Sequence, residues 1–277
     1  MTIRDRKATV QSVVLFAALV NVLGWLGPVL GGDPTSPGLG FLIWGTAPLV
    51  TCVLLRALAK DWGDFGIRPR LRQNASWYLL SIVANPIAIP LTLGLAVLLK
   101  AASVHDFSWA AFFRAFLLAL AVYMVSALFE EVGWRGYLAP KLYSLNLNAF
   151  AAHALVGVIW ASWHFPYIGI FAAYTGDPLA SYVPRFFLGT FVFAIVYGEV
   201  RIRTRSFWSA VVMHGIGNAT AVTLLTEFVT LPPGRAILGS FGADGLMIAC
   251  FGLLGLLLTL RRVTRVGIQG GTSDGYR

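Results

Sequence analysis

Three short stretches set polar and ionisable side chains into otherwise apolar sequence: Glu130, Glu131 and Arg135 in ALFEEVGWRGYL, Trp160 and His164 in WASWH, and His214 and Asn218 in HGIGN. Each holds a pair at i,i+4 spacing, which on a helix brings both side chains to one face. Glu131 stands N-terminal to Arg135, the favourable order for an ion pair, so this carboxylate is expected to be structural. Glu130 lies about 100° further round the same helix and is left to face a different environment. His214 and Asn218 together offer donors to a single oxygen, and Gly215 and Gly217 beside them permit close approach of a helix or a substrate backbone. Such a set suits peptide hydrolysis without a side-chain nucleophile. Glu130 takes a proton from water with help from His164, and His214 and Asn218 stabilise the oxyanion that follows. One carboxylate and two imidazoles are also a zinc ligand set, so Glu130, His164 and His214 could hold a metal instead, although there is no HExxH helix.

The elements that carry these residues are built for lipid. Hydrophobic residues make up 57% of the 277 and charged residues 12%, about half the charged share of a soluble domain. The apolar residues fall in blocks of about 17 to 25, enough to cross a hydrocarbon core of about 30 Å at 1.5 Å per residue. Eight spans are expected, at 10–30, 39–58, 75–99, 110–130, 148–171, 184–200, 207–228 and 241–260, the fourth continuing to about Tyr143. Basic clusters around Arg4, Arg56 to Arg72, Arg135 and Lys141, Arg201 to Arg205, and Arg261 to Arg265 occupy every second connection. By the positive-inside rule, both termini are then cytoplasmic. The fold class is an all-α membrane protein, a bundle of about eight transmembrane helices. Residues 1–266 form one polytopic domain, and the Gly-rich polar stretch 267–277 reads as a disordered tail.

The net charge of +9 sits in these clusters and forms no continuous stripe, so the expected partners are membrane lipids and a protein or peptide substrate, not nucleic acid. Pro86 and Pro90 predict a kink or break in the third span. Cys52 and Cys250 read as small buried residues, His153 as non-catalytic, and Glu199 as a span-end charge able to reach headgroups. Counted from the cytoplasmic ends, Glu130, His164 and His214 lie about 20, 24 and 12 Å deep. Tilted or offset helices are needed to bring them together, in a cavity expected to be reached from the cytoplasmic side.

The three stretches resemble, in order and separation, the EExxxR, aromatic-xxx-His and HxxxN motifs of the CAAX-protease and bacteriocin-processing family, also called the abortive-infection family, which includes the type II CAAX prenyl endopeptidases. DFGIRP at 64–69 is similar to a short sequence often found before the third span in that family. The resemblance spans about residues 60–225, with Trp160 where Phe is commoner. It implies an eight-helix, glutamate-dependent intramembrane endopeptidase that needs no cofactor. In it Glu130 activates water, His164 and His214 are essential, His214 and Asn218 form the oxyanion hole, and Arg135 orients the acidic pair. The chain looks most like the prokaryotic branch, which implies a bacterial or archaeal cell membrane.

Besides the zinc enzyme, two non-enzymatic classes fit the same residues: a proton-coupled transporter using Glu and His as a relay, and an immunity or scaffold protein that binds a peptide without cutting it. Glu130→Gln separates them. Cleavage of a co-expressed natural substrate is expected to disappear, whereas a binder keeps its partner and a transporter loses coupling; cleavage by the variant contradicts the hydrolytic reading.

Overall fold

The computed structural model describes residues 2–173, 175–232 and 245–271. The chain is a multi-pass helical membrane protein. Its helices are α1 (Ile3–Leu30), α2 (Leu39–Ala59), α3 (Ala75–Leu98), α4 (Trp109–Gly133), α5 (Ala139–Ser144), α6 (Ala149–Trp163), α7 (Ile168–Ala173), α8 (Leu179–Thr204), α9 (Trp208–Glu227) and α10 (Met247–Gly271). Among the described residues six helices are long and apolar enough to cross a membrane, and a seventh span is formed if the bent pair on either side of His164 is counted. The expected eighth span, 241–260, begins outside the described residues, as does most of the expected 229–240 connection; its described part is α10. Of the expected tail, 272–277 lie outside the described residues, and α10 runs to Gly271.

Two motif-bearing helices start on side-chain caps. Ser108 accepts from the Ala111 amide at the head of α4 (3.2 Å), and Asn148 from the Ala151 amide at the head of α6 (2.8 Å). Such caps satisfy amides that have no partner within the helix. Helix α3 continues through Pro86 and Pro90 without a break. The fifth expected span does bend, by 41° between Trp163 and Phe165. Pro166 has no amide hydrogen to continue the ladder and disfavours helix at the residue before it, so His164 sits at the end of α6 rather than inside a continuous rod.

Helix α4 packs along α9 and α2, α6 along α8, α3 along α9, α1 along α2, and α8 along α10. The motif of α4 reaches α2 through Gly133, whose Cα hydrogen faces Pro48 so closely that a side chain would collide with it. A two-residue antiparallel ladder, β1 (Ser103–Val104) with β2 (Val229–Thr230), ties the start of α4 to the end of α9.

Below Glu130 and Glu131 the helix widens into a π turn, Trp134–Leu138, before α5. Such turns present carbonyls to outside donors. Arg201 Nε donates to the Arg135 carbonyl at 2.9 Å, and Arg56 Nε and Nη2 donate to the Gly136 carbonyl, the former at 3.1 Å. Arg56 also donates to Asp64 Oδ1 at 2.7 Å, and Arg201 Nη2 to the Asp64 carbonyl at 2.6 Å. The 64–69 stretch is thus a clasp joining α2, the π turn and α8. Both arginines, expected as topology signals, are buried structural donors. Lys141 holds Asp61 by a side-chain hydrogen bond and keeps its carboxyl below the usual range. A carboxyl depressed in the fold contributes stability at neutral pH that is lost as pH falls through its folded value.

The clasp depends on Gly66, at φ +79°, where a Cβ would stand 2.6 Å from Arg201 Nη2. Gly66→Ala is expected to lower stability by about 1–3 kcal/mol, and Arg56→Met by a similar amount through the orphaned Gly136 carbonyl, about 1–3 kcal/mol. Thermal unfolding of the detergent-solubilised protein measures both; unfolding at the wild-type temperature contradicts the clasp.

Candidate active site

Glu130, Trp160, His164, His214 and Asn218 line one cavity of about 180 Å³, between α3, α4, α6, α8 and α9. That is room for roughly six waters at about 30 Å³ each, or for a peptide unit and a water. Glu131 and Arg135 are fully buried behind it. The first turn of α9 lies under the clasp: the Phe207 amide donates to the Gly66 carbonyl (3.2 Å) and Trp208 Nε1 to the Ile67 carbonyl (2.7 Å).

Each ionisable group has a defined set of partners. Glu130 Oε2 accepts from Trp160 Nε1 at 2.8 Å and from Trp134 Nε1 at 3.4 Å, so two indoles aim this carboxylate. Its other oxygen, Oε1, stands 3.8 Å from His214 Nε2. Glu131 Oε1 accepts from Arg135 Nη1 at 3.0 Å and lies 2.9 Å from His214 Nδ1. The two carboxylates therefore do share an environment, bridged by one imidazole. Since Glu131 is paired with Arg135 and accepts only, the proton of that contact belongs to His214 Nδ1.

His164 is held differently. Its Nδ1 lies 2.9 Å from the Trp160 carbonyl, which can only accept, so Nδ1 carries the proton and Nε2 keeps its lone pair. Trp163, Phe186, Phe171 and Trp44 surround the ring at centroid distances of 4.7, 5.0, 5.8 and 6.0 Å. Trp44 and Trp163 stack at 4.2 Å and each donates its indole N–H to the other's carbonyl, at 2.9 and 3.2 Å. This reciprocal pair pins the end of α6 to α2. Asn218 has no hydrogen-bond partner among the described residues, which leaves its amide free toward the cavity.

Arg135 is clamped between the faces of Trp160 and Tyr197, 4.6 and 5.0 Å from their centroids. Its Nε and Nη2 and Glu131 Oε2 find no hydrogen-bond partner among the described residues. Ring faces and the Glu131 charge therefore supply much of what holds the guanidinium.

Three lining residues with polar side chains were not read from sequence. Asn85 Nδ2 donates to the Met213 carbonyl at 2.9 Å, one residue before His214, and rests against Gly217, where a Cβ would meet it at 2.6 Å. A lone amide beside a proline in an apolar span was the available signal. Tyr197 and Thr190 carried none. Glu199 does not reach headgroups: it is fully buried, 3.2 Å from His153 Nε2 and bound by Arg203 and by Arg262 (2.9 Å). That cluster contributes no residue to the cavity lining. As for metal, no group of three His, Cys, Asp or Glu side chains is placed to hold an ion among the described residues.

Residues 112–220 match a family model described as type II CAAX prenyl endopeptidase Rce1-like. The chain is 26% identical over 213 residues to a CAAX prenyl protease 2 from the archaeon Methanococcus maripaludis, covering 71% of this chain and 78% of that protein.

Trp160→Phe keeps the aromatic wall and removes the donor to Glu130. A hydrogen bond to a charged group contributes about 1.5–3 kcal/mol, so kcat is expected to fall about 10- to 100-fold with KM little changed. Steady-state kinetics on one substrate peptide tests this; wild-type kcat in the variant contradicts the positioning role.

Proposed function

We propose that this chain, whose residues 112–220 match the Rce1-like CAAX endopeptidase model, is an intramembrane endopeptidase working by Glu130-activated water without a metal. The observation that carries the reading is the carboxylate of Glu130, aimed by the Trp160 indole at 2.8 Å into a cavity that His164, His214 and Asn218 also line. Water held between Glu130 and His164 Nε2 loses a proton to Glu130 while its oxygen attacks the scissile carbonyl carbon. Negative charge develops on the carbonyl oxygen, where Asn218 Nδ2 and His214 Nε2 donate. Glu130 then passes its proton to the departing nitrogen as the C–N bond breaks, leaving a new carboxyl and a new amine.

The Glu131 contact sets a condition on this scheme. With His214 Nδ1 donating to Glu131, Nε2 can donate to an oxyanion only if the ring carries both protons. Charge balance favours that state: Glu130 and Glu131 against Arg135 leave one negative charge, which an imidazolium neutralises. Supporting roles thus fall to Glu131 and Arg135, which hold His214, and to Trp160, which holds Glu130. The substrate is a membrane-associated protein or peptide. Chains ending in a prenylated CAAX sequence, the class named by both matches, are the first to assay. Both termini are proposed to be cytoplasmic, on the charge alternation of the connections.

Removing one oxyanion donor costs about 10²–10³ in kcat, so Asn218→Ala is expected to lose that much with KM nearly unchanged, on an internally quenched peptide carrying a farnesylated CAAX end. The wild type is expected to keep its activity in strong chelator. Activity lost to chelator and restored by zinc replaces this mechanism with the metal-dependent one.

A further inference from the structure

A second cavity, of about 960 Å³, lies where the ends of α2, α5 and α8 meet Arg262 of α10, and it shares no lining residue with the first. Five arginines line it: Arg68, Arg70, Arg201, Arg205 and Arg262, with Asp64 as the carboxylate in its wall. Asp64 is already taken by Arg56, and Arg262 by Glu199. Arg68, Arg70 and Arg205 pair with no carboxylate among the described residues. Arg201 is only 7% exposed, and its hydrogen bonds go to the backbone carbonyls of Arg135 and Asp64 rather than to an anion. Four arginines thus line one cavity whose single carboxylate, Asp64, is already paired with Arg56.

Burial of Arg201 and mutual repulsion both cost free energy, and an anion that met all four would offset them. Arg70 and Arg205 moreover sit at φ +53° and +52°, a conformation in which glycine is the usual residue. Ser144 and Asn146 add hydrogen-bonding side chains, and Trp62, 44% exposed, adds an aromatic of the kind that rests among headgroups. The volume is that of an organic ligand site rather than of a bare ion. The location, at helix ends in the basic connections of a membrane protein, is where anionic headgroups are met.

We propose that this cavity binds a phosphate group, with the diester headgroup of an anionic phospholipid as its natural form and free phosphate as the other source of the same chemistry. Arginine forks suit phosphate oxygens, which accept two parallel N–H donors.

The test uses purified full-length protein in neutral detergent, titrated calorimetrically with dihexanoyl phosphatidylglycerol, dihexanoyl phosphatidylcholine and inorganic phosphate. Phosphatidylglycerol is expected to bind about tenfold or more tighter than phosphatidylcholine, and R68Q/R70Q to weaken it about tenfold or more. Both arginines are exposed loop side chains, so the double variant should unfold at the wild-type temperature. R4Q/R6Q removes the same charge elsewhere and should bind as the wild type does. Inorganic phosphate that displaces the lipid supports the site with a soluble phosphate sufficient; phosphate that fails to displace it supports the site as a headgroup receptor. Equal binding of the two lipids, equal weakening by R4Q/R6Q, or tighter binding of an acidic peptide than of phosphatidylglycerol overturns the proposal.

Discussion

Glu131 exposes no surface, and one of its oxygens meets both Arg135 on its own helix and His214 on α9. Taking such charges out of water costs several kcal/mol per ion, which mutual attraction returns only when the geometry is good. The arrangement is therefore weak as a stabiliser and strong as a constraint. Shifting α4 against α9 by a fraction of a turn would break the Glu131–His214 contact and draw Arg135 from between Trp160 and Tyr197, leaving a buried ion pair short of partners. It is this penalty that fixes the rotation of α4, and with it the direction in which the preceding residue, Glu130, points.

The rest of the bundle can be traced from that fixed point. Gly133 lets α2 approach α4, and the π turn that follows hands its carbonyls to Arg56 and Arg201. Those arginines in turn hold Asp64 and the clasp that covers the start of α9. Trp44 and Trp163 pin the end of α6 at the 41° bend, which aims His164 at the same cavity. Five helices arrive at one small volume because each is held by a polar contact with a defined geometry, where lipid offers no hydrophobic drive to bring helices together.

Much of this was legible beforehand. The i,i+4 pairs identified which side chains share a helix face, and apolar length identified six of the long helices, or seven with the bent pair; Glu130, Trp160, His164, His214 and Asn218 do line one cavity. What could not be read is what depends on the rotation of one helix against another. Spacing within α4 pairs Glu131 with Arg135 and is silent about His214. Arg56 and Arg201 looked like topology signals because composition does not distinguish a snorkelling arginine from one donating to a carbonyl inside the bundle. The π turn leaves no pattern, since its residues would sit equally well in an α-helix. Trp160 looked like a wall, and its indole N–H acquires a role only because Glu130 lies 2.8 Å away.

The central claim is that Glu130 activates a water rather than attacking the peptide itself. A single turnover in ¹⁸O-labelled water, with the product's new carboxyl group examined by mass spectrometry, tests it most directly. Water attack places one ¹⁸O in the product of the first turnover and none in Glu130. An unlabelled first product, with label appearing in the Glu130 carboxylate after several turnovers, would mean that the carboxylate is the nucleophile and would contradict the account.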